Sequence, residues 1–337
     1  MGGLRIVRLL LAVLLSLFLI AVFLWISGYS PWGVLKILIS STWSSPNGVL
    51  LVATKTSLLI LTGLAVALPY RAGLFNIGGE GQIFLGGLAA SVVGTLPLGM
   101  LGTFHLLLCL VVGMLCGAFW AWIAAILKTT RGVHEVISTI MLNYIAFQII
   151  NELTFGPFNA GNGASRTEFI NDSARMPIMF SSGASEASWG IVISIIIAIA
   201  LSWMLYRTWF GFSLRAVGGN PQACKYSGIS TGRVLCWSML LGGGCAGLSG
   251  ALQVTGVDHT FYARFGGGYG FDGIAVAFLA LCEPWAAVPA AFIIATLRAA
   301  DRSLQLDAGI PKEMVLMLEG ILIICIAIFI RRKNEHE

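Results

Sequence analysis

Long apolar runs separated by short polar connections organise the whole chain. They fall at 9–27, 49–69, 80–98, 104–127, 135–153, 188–206, 234–256, 286–300 and 314–330, close to the length a helix needs to cross a bilayer. A shorter run, 273–283, stops at Glu283-Pro284. Counted as a short or broken span, it makes ten and puts both chain ends on one side, where Arg331-Arg332-Lys333 follow the last run. Arg5 and Arg8 precede a first run that is too long for a secretory h-region and lacks a small-residue cleavage site, so it reads as a span. The pattern predicts an all-α polytopic membrane protein, a single transmembrane domain over 1–337 with about ten helices, some short or broken.

Charge orients this arrangement. The ten-span reading places Arg5, Arg8, Arg71, Lys128, Arg131, Arg207, Arg215, Lys225, Arg233 and the C-terminal triplet inside, both termini included. Lys36, Arg166, Arg175, Arg264, Arg298, Arg302 and Lys312 fall outside. Only 10% of the 337 residues are charged and 57% are hydrophobic, against about 25% charged in a soluble domain. The net charge of +5 sits mostly in short loops, so it reports topology and argues against a nucleic-acid partner; the lipid bilayer is the expected surround. The seven cysteines form no C-x-x-C pair and lie mostly in apolar runs, which argues for packing residues and against a disulfide or zinc framework.

Two polar interruptions stand out. Residues 154–187, rich in Gly, Ser, Asn and Pro, are expected outside; 207–233 are expected inside. Within the second, Asn220 suits an N-cap, Pro221 the first helical position, and Gly228 the left-handed residue after a helix end. Arg215 precedes that short helix and Lys225 lies on it, a solvent-facing element suited to docking on another protein. The partly apolar stretch 28–48 reads as an interfacial helix, and Lys55 as a side chain reaching toward the outer interface.

Polar side chains inside apolar runs carry the candidate chemistry. GLFNIGGEGQ at 73–82 holds Asn76, Glu80 and Gln82 among four glycines. It reads either as part of a substrate path or as a re-entrant turn whose Glu80 caps a helix start. GYGFDG at 268–273 is its counterpart on the opposite side, where Tyr269 and Asp272 either meet a base or sugar or form an aromatic belt with an N-cap. Glu135, Thr139 and Asn143 fall on one helix face, lining a cavity or bonding a neighbouring helix. His134 stands at that helix entrance with no second ligand spaced for a metal. The similar order of small-residue and Gly-rich segments around 63–82 and 247–273, oppositely oriented, indicates an inverted repeat. Gly243 and Gly247 serve helix crossing rather than dinucleotide binding, since no strand precedes them. The chain has no Gly-Lys dipeptide, hence no phosphate-binding loop of the Walker type, and no clustered catalytic residues for a membrane transferase at His134 or Glu135.

GLFNIGGEGQ, the run from Gly132 to Ala146, GFSLRAVGGNPQACKYSGI and GYGFDGIAVAFLA together resemble the permease subunits of bacterial nucleoside and simple-sugar ABC importers, within the wider branched-chain amino acid and ribose permease superfamily. The resemblance runs from about residue 50 to 330. It implies import of a small polar solute, nucleosides first and simple sugars second, across the bacterial cytoplasmic membrane. It also implies a second permease subunit (identical or not), an external substrate-binding protein, and a cytoplasmic ATP-binding subunit that holds the ATP and Mg, leaving no cofactor in this chain. Arg215, Gly218, Asn220, Ala223 and Gly228 match the family's ATPase-coupling loop. Two departures bear on path geometry: Glu283-Pro284-Trp285-Ala286 replaces the usual Asn-Pro-x-Gly, and His134 stands where Asn is common. An ion-coupled transporter using Glu80, Asp272 or Glu283 is the rival expectation.

Overall fold

The computed structural model describes residues 2–99, 101–161, 165–183, 185–263, 265 and 267–331. Among the described residues thirteen α-helices follow one another: α1 (Gly2–Ile26), α2 (Pro31–Thr42), α3 (Pro46–Arg71), α4 (Gly79–Thr95), α5 (Gly102–Arg131), α6 (Glu135–Phe155), α7 (Gly190–Arg207), α8 (Trp209–Gly219), α9 (Pro221–Tyr226), α10 (Thr231–Gln253), α11 (Tyr269–Leu279), α12 (Ala287–Asp307) and α13 (Lys312–Arg331). Each of the ten expected apolar runs lies largely within one of them. Among the described residues, five helices are long and apolar enough to cross a membrane, or six when α1 and α2, bent by 114°, are counted as one broken span. The polytopic all-α reading stands. Arg264, Gly266, Arg332 and Lys333 lie outside the described residues.

Two helices form the centre. About 67% of the most apolar stretch of α3 and 72% of that of α10, extended to Asp258, is buried inside the protein, against 28% for α5, α6 and α7. The latter three therefore lie at the periphery, while α3 and α10 need apolar residues all round. Leu58 to Pro69 is one unbroken buried run. Sequence chemistry fixes the start of α3: the Ser45 hydroxyl accepts from the Gly48 N–H and Pro46 occupies the first turn. Glycine allows α10 to approach its neighbours backbone to backbone. A Cβ at Gly243 would lie 2.5 Å from the Gly117 carbonyl oxygen of α5, and Gly247 sits equally tight on Gly113 and on Gly86 of α4.

α4 and α11 are each too short to cross a membrane as helix alone. Their 17 and 11 residues span about 25 and 16 Å at 1.5 Å per residue, short of the ~30 Å hydrocarbon core. Their first turns meet. The Glu80 carboxylate accepts from the N–H of Gly268 (3.1 Å) and of Gly270 (2.7 Å), and a Cβ on Gly79 would touch the Gly270 carbonyl at 3.3 Å. From that junction the two half-helices run apart. α4 ends where the Gly94 carbonyl accepts from Asn171; α11 ends where the Cys282 carbonyl accepts from Arg71. Each packs on the long helix of the other half: Ile83 of α4 on Gly250 of α10, Gly273 of α11 on Thr62 of α3. The plan of long helix, returning turn and half-helix thus occurs twice in opposite senses. The expectation that GLFNIGGEGQ and GYGFDG lie on opposite sides is corrected, because both turns climb to one shared level.

The expected loop 154–187 carries structure of its own. Strands β1 (Ile178–Ser182) and β2 (Ser185–Ser188) form an antiparallel hairpin, held to α3 by the Thr54 hydroxyl donating to the Glu186 carbonyl (2.9 Å). The preceding segment stitches the α10–α11 connection in place: Thr167, Ile170 and Met176 N–H groups donate to the carbonyls of Phe261, His259 and Thr255. Tyr29 at the α1–α2 turn donates to the Gly309 carbonyl, so α1 ends close to where α13 begins.

Two outcomes follow from this packing. A Cβ at Gly273 would stand 2.5 Å from the Thr62 carbonyl, so Gly273→Val should lower the unfolding temperature in detergent, by overpacking of about 1–3 kcal/mol. Gly232→Ala, which meets only Thr129 at 3.8 Å, should leave it unchanged. Glu80→Gln turns an amide donor toward one of two glycine donors, and should cost about 1–3 kcal/mol in the same measurement.

Candidate functional site

A polar cavity of about 240 Å³ opens beside the junction of the half-helices. Its walls come from both halves: Lys55 of α3, Gln253 of α10, Asp258, Tyr262 and Gly267 of the connection to α11, Tyr269 of α11, and Arg298 and Asp301 of α12. Local geometry brings them together. After Gln253 the helix widens to a π-turn over 254–258, closed by the His259 N–H donating to the Val254 carbonyl. In a π-turn residues five apart share a face, so Gln253 Nε2 reaches Asp258 Oδ2 at 2.7 Å. Asp258 also takes a hydrogen bond from Tyr262. Lys55 Nζ donates to Tyr269 Oη at 3.0 Å. Arg298, buried on α12, pairs with Asp272 at 2.5 Å and with Asp301 at 3.6 Å.

Two expected charges change role here. Lys55 turns to Tyr269 and the cavity rather than along the surface to the interface. Arg298 is not a loop charge facing outside: it lies within α12 with two carboxylates for neighbours, which removes its weight from the topology count.

Of the side chains singled out in the sequence as a solute path, Tyr269 lines this cavity and Asp272 stands behind it on Arg298. Glu80 bridges the half-helices. Asn76, Gln82, Thr139 and Asn143 hold the returning turn 72–78 in place. Asn76 and Gln82 exchange two amide hydrogen bonds at 3.0 Å, Asn76 also donates to the Ala65 carbonyl, and both are buried. Asn143 accepts from the Gly81 N–H and donates to the Ile77 carbonyl, each at 2.9 Å, while the Thr139 hydroxyl faces the Ile77 N–H at 3.3 Å. A turn inside the membrane needs such partners, since no water is there to satisfy its backbone. Glu135 lies elsewhere, paired with Lys128 at 2.8 Å at the α5–α6 connection. Gln253, Asp258, Tyr262 and Asp301 were not singled out; the spacing of Arg298 and Asp301 inside an apolar helix was the one available signal. Among the described residues no group of three His, Cys, Asp or Glu side chains is placed to hold a metal.

At the opposite end α8 and α9 form an exposed ledge. Asn220 Oδ1 accepts from the N–H of Gln222 and of Ala223, both at 3.0 Å, Pro221 opens α9, and Gly228 follows it at φ 80°. Cys224 anchors α9 inward; Lys225 projects outward and Tyr226 is 94% exposed. Arg215 stays against the protein, its guanidinium 5.1 Å from the Tyr206 ring. The ledge rests on the first residues of the returning turn. Ala72 packs with Leu205, Leu214, Val217 and Cys224, and Gly218 leaves no room for a Cβ beside the Arg71 carbonyl. Arg71 in turn pairs with Glu283, which also accepts from Tyr206, so α3, α7 and the end of α11 meet under α8.

One cavity is thus lined by both halves of the protein, and an exposed ledge rests on the returning turn that joins α3 to α4. Residues 48–327 match the family described as branched-chain amino acid transport system / permease component. The guanosine ABC transporter permease protein of Bacillus subtilis is 36% identical over 94% of this chain and 92% of its own length. The nucleoside ABC transporter permease protein of Lactococcus lactis subsp. cremoris is 31% identical over 95% and 90%. The glucose ABC transporter permease protein of Haloferax volcanii is 32% identical over 84% and 77%. No solved structure matches. The chain is a multi-pass membrane protein, a transport component rather than an enzyme, and it belongs to the family of branched-chain amino acid transport system permease components.

Proposed function

We infer that this chain is the permease of an ABC importer that takes up nucleosides, with ATP and Mg bound and hydrolysed on a separate cytoplasmic subunit. Nucleosides come first because two of the relatives carry guanosine or nucleoside in their names. A simple sugar is the second reading, favoured by the glucose permease relative. Ion coupling finds less support, since Glu80, Asp272 and Glu283 each have protein partners.

The observation that carries the reading is the contact between the α8–α9 ledge and the returning turn. Asn220, Pro221, Ala223, Lys225 and Gly228 face solvent, where an ATPase can bind; Arg215 and Gly218 lie behind them, against Tyr206 and Arg71. A push on α9 reaches Ala72 through Cys224, Leu214 and Val217, which pack together in one buried cluster. It continues through the amide clamps of Asn76 and Asn143 to Glu80, and from Glu80 to the start of α11. On this reading the ledge and both termini are cytoplasmic, supported by Arg71, Lys128, Arg215 and Lys225 falling in connections that the positive-inside rule assigns to that side. The hairpin end is external and faces the substrate-binding protein, and a second permease subunit completes the membrane part. The solute passes by alternate opening of the two ends around the junction of the half-helices.

Replacing Asn220 and Pro221 together by glycine removes the cap and the preset first turn of α9. Copurification with the coexpressed ATPase should fall about tenfold, the equivalent of 1.4 kcal/mol, while membrane insertion is retained. Undiminished copurification would show that α9 is not the docking element.

A further inference from the structure

The geometry points to the cavity beside Tyr269 as a binding site within the membrane for the uncharged ribose of a nucleoside, selecting against phosphorylated forms. The inference rests on the nucleoside reading above and adds the place, the recognised moiety and the basis of rejection.

Four observations carry it. The volume, about 240 Å³, falls below the ~300–1,000 Å³ of sites that engulf drug-sized molecules, so it takes one ring and leaves the rest at the mouth. Gln253 Oε1 is buried on its wall without a hydrogen-bond partner, while the amide's other end is fixed by Asp258. A fixed, dry acceptor calls for a donor from the occupant, and a ribose hydroxyl is one. The charges cancel. Lys55 and Arg298 face Asp258 and Asp301 across the space, and Asp272 adds a further negative charge against Arg298. A phosphate there meets more carboxylate than cation, whereas a polyhydroxylated neutral ring finds donors in Lys55 and acceptors in Gln253 and Asp258. Last, Tyr262 is 38% exposed at the mouth and offers a flat face to a base.

Placement adds weight. Gly267 and Tyr269 line the cavity, and Gly268 and Gly270, interleaved with them, donate to Glu80. An occupant therefore presses on the same short backbone segment through which the half-helices meet, so solute and ATPase act on one joint from two directions.

The test uses the complete transporter in proteoliposomes, with ATP and the external binding protein, and compares wild type with Gln253→Leu. Initial uptake is measured for radiolabelled guanosine and 2′,3′-dideoxyguanosine. The binding protein is common to both samples, so any difference in their ratio belongs to the permease. Wild type should favour guanosine about tenfold in Vmax/KM, and Gln253→Leu should lose that preference, about the worth of one hydrogen bond to a buried acceptor. An unchanged ratio in the variant overturns the site and leaves the nucleoside reading intact. Absence of ATP-dependent guanosine uptake by wild type overturns the nucleoside reading and the site with it. A second measurement covers a variant that fails to assemble. In the transporter without its binding protein, Tyr262→Cys is modified with a polar maleimide, the wild-type rate being subtracted. Guanosine should slow the reaction about fivefold, roughly 1 kcal/mol of occupancy, and guanosine 5′-monophosphate at the same concentration should not. Equal protection by both, or by neither, overturns the proposal.

Discussion

A helix that begins inside a bilayer exposes its first N–H groups to a medium that cannot solvate them. Here one carboxylate meets that need. Glu80, in the first turn of α4, reaches across to the N–H groups of Gly268 and Gly270 at the start of α11. Charge-assisted hydrogen bonds to a helix start are among the stronger polar interactions available in a dry environment. The same bonds satisfy the carboxylate, which is 4% exposed. Without them, neither half-helix has a stable starting point. The cavity, whose wall includes Gly267 and Tyr269, then loses its floor.

Around this junction the polar residues divide by duty. Asn76, Gln82, Thr139 and Asn143 satisfy the backbone of the first returning turn from within the membrane. The second turn is satisfied differently, by backbone hydrogen bonds from the 165–176 segment near the hairpin. One turn is clamped by side chains of a neighbouring helix and the other by the backbone of the loop that carries the hairpin. The two ends of the protein are therefore not equivalent, although the helices repeat. The turn held by the loop lies beside the hairpin, and the turn held by α6 lies beside α8.

Much of this was legible in the sequence. Nine apolar runs of spanning length and one shorter run marked ten of the helices in order, and the cap chemistry of Asn220, Pro221 and Gly228 placed α9 within one residue, because both signals are local. Glycine spacing at Gly243 and Gly247 announced a close crossing for the same reason. The site was read less completely. Asn76, Thr139 and Asn143 look alike in sequence whether they face a solute or a backbone, since the same amide serves either; only the position of Ile77 and Gly81 decides. Lys55 and Arg298 were drawn toward the interface by their charge, yet their partners Tyr269 and Asp272 lie far away in the chain. The π-turn that aligns Gln253 with Asp258 has no sequence signature of its own, and the hairpin at 178–188 lacks a long alternating pattern to betray it.

The backbone-to-backbone contacts among α4, α5 and α10 carry one more implication. Where Gly86, Gly113, Gly117, Gly243 and Gly247 touch, only backbone and the methyl groups of Ala121 and Ala251 lie between the helices, so no rotamer change is at hand to let them slide. That trio forms a keel with little freedom to shear. The contacts of Arg71 with Glu283 and of Asp272 with Arg298, by contrast, are ionic and can be exchanged one partner at a time. Charge thus gathers around α11 and α12, and the closest helix crossings belong to residues with little or no side chain.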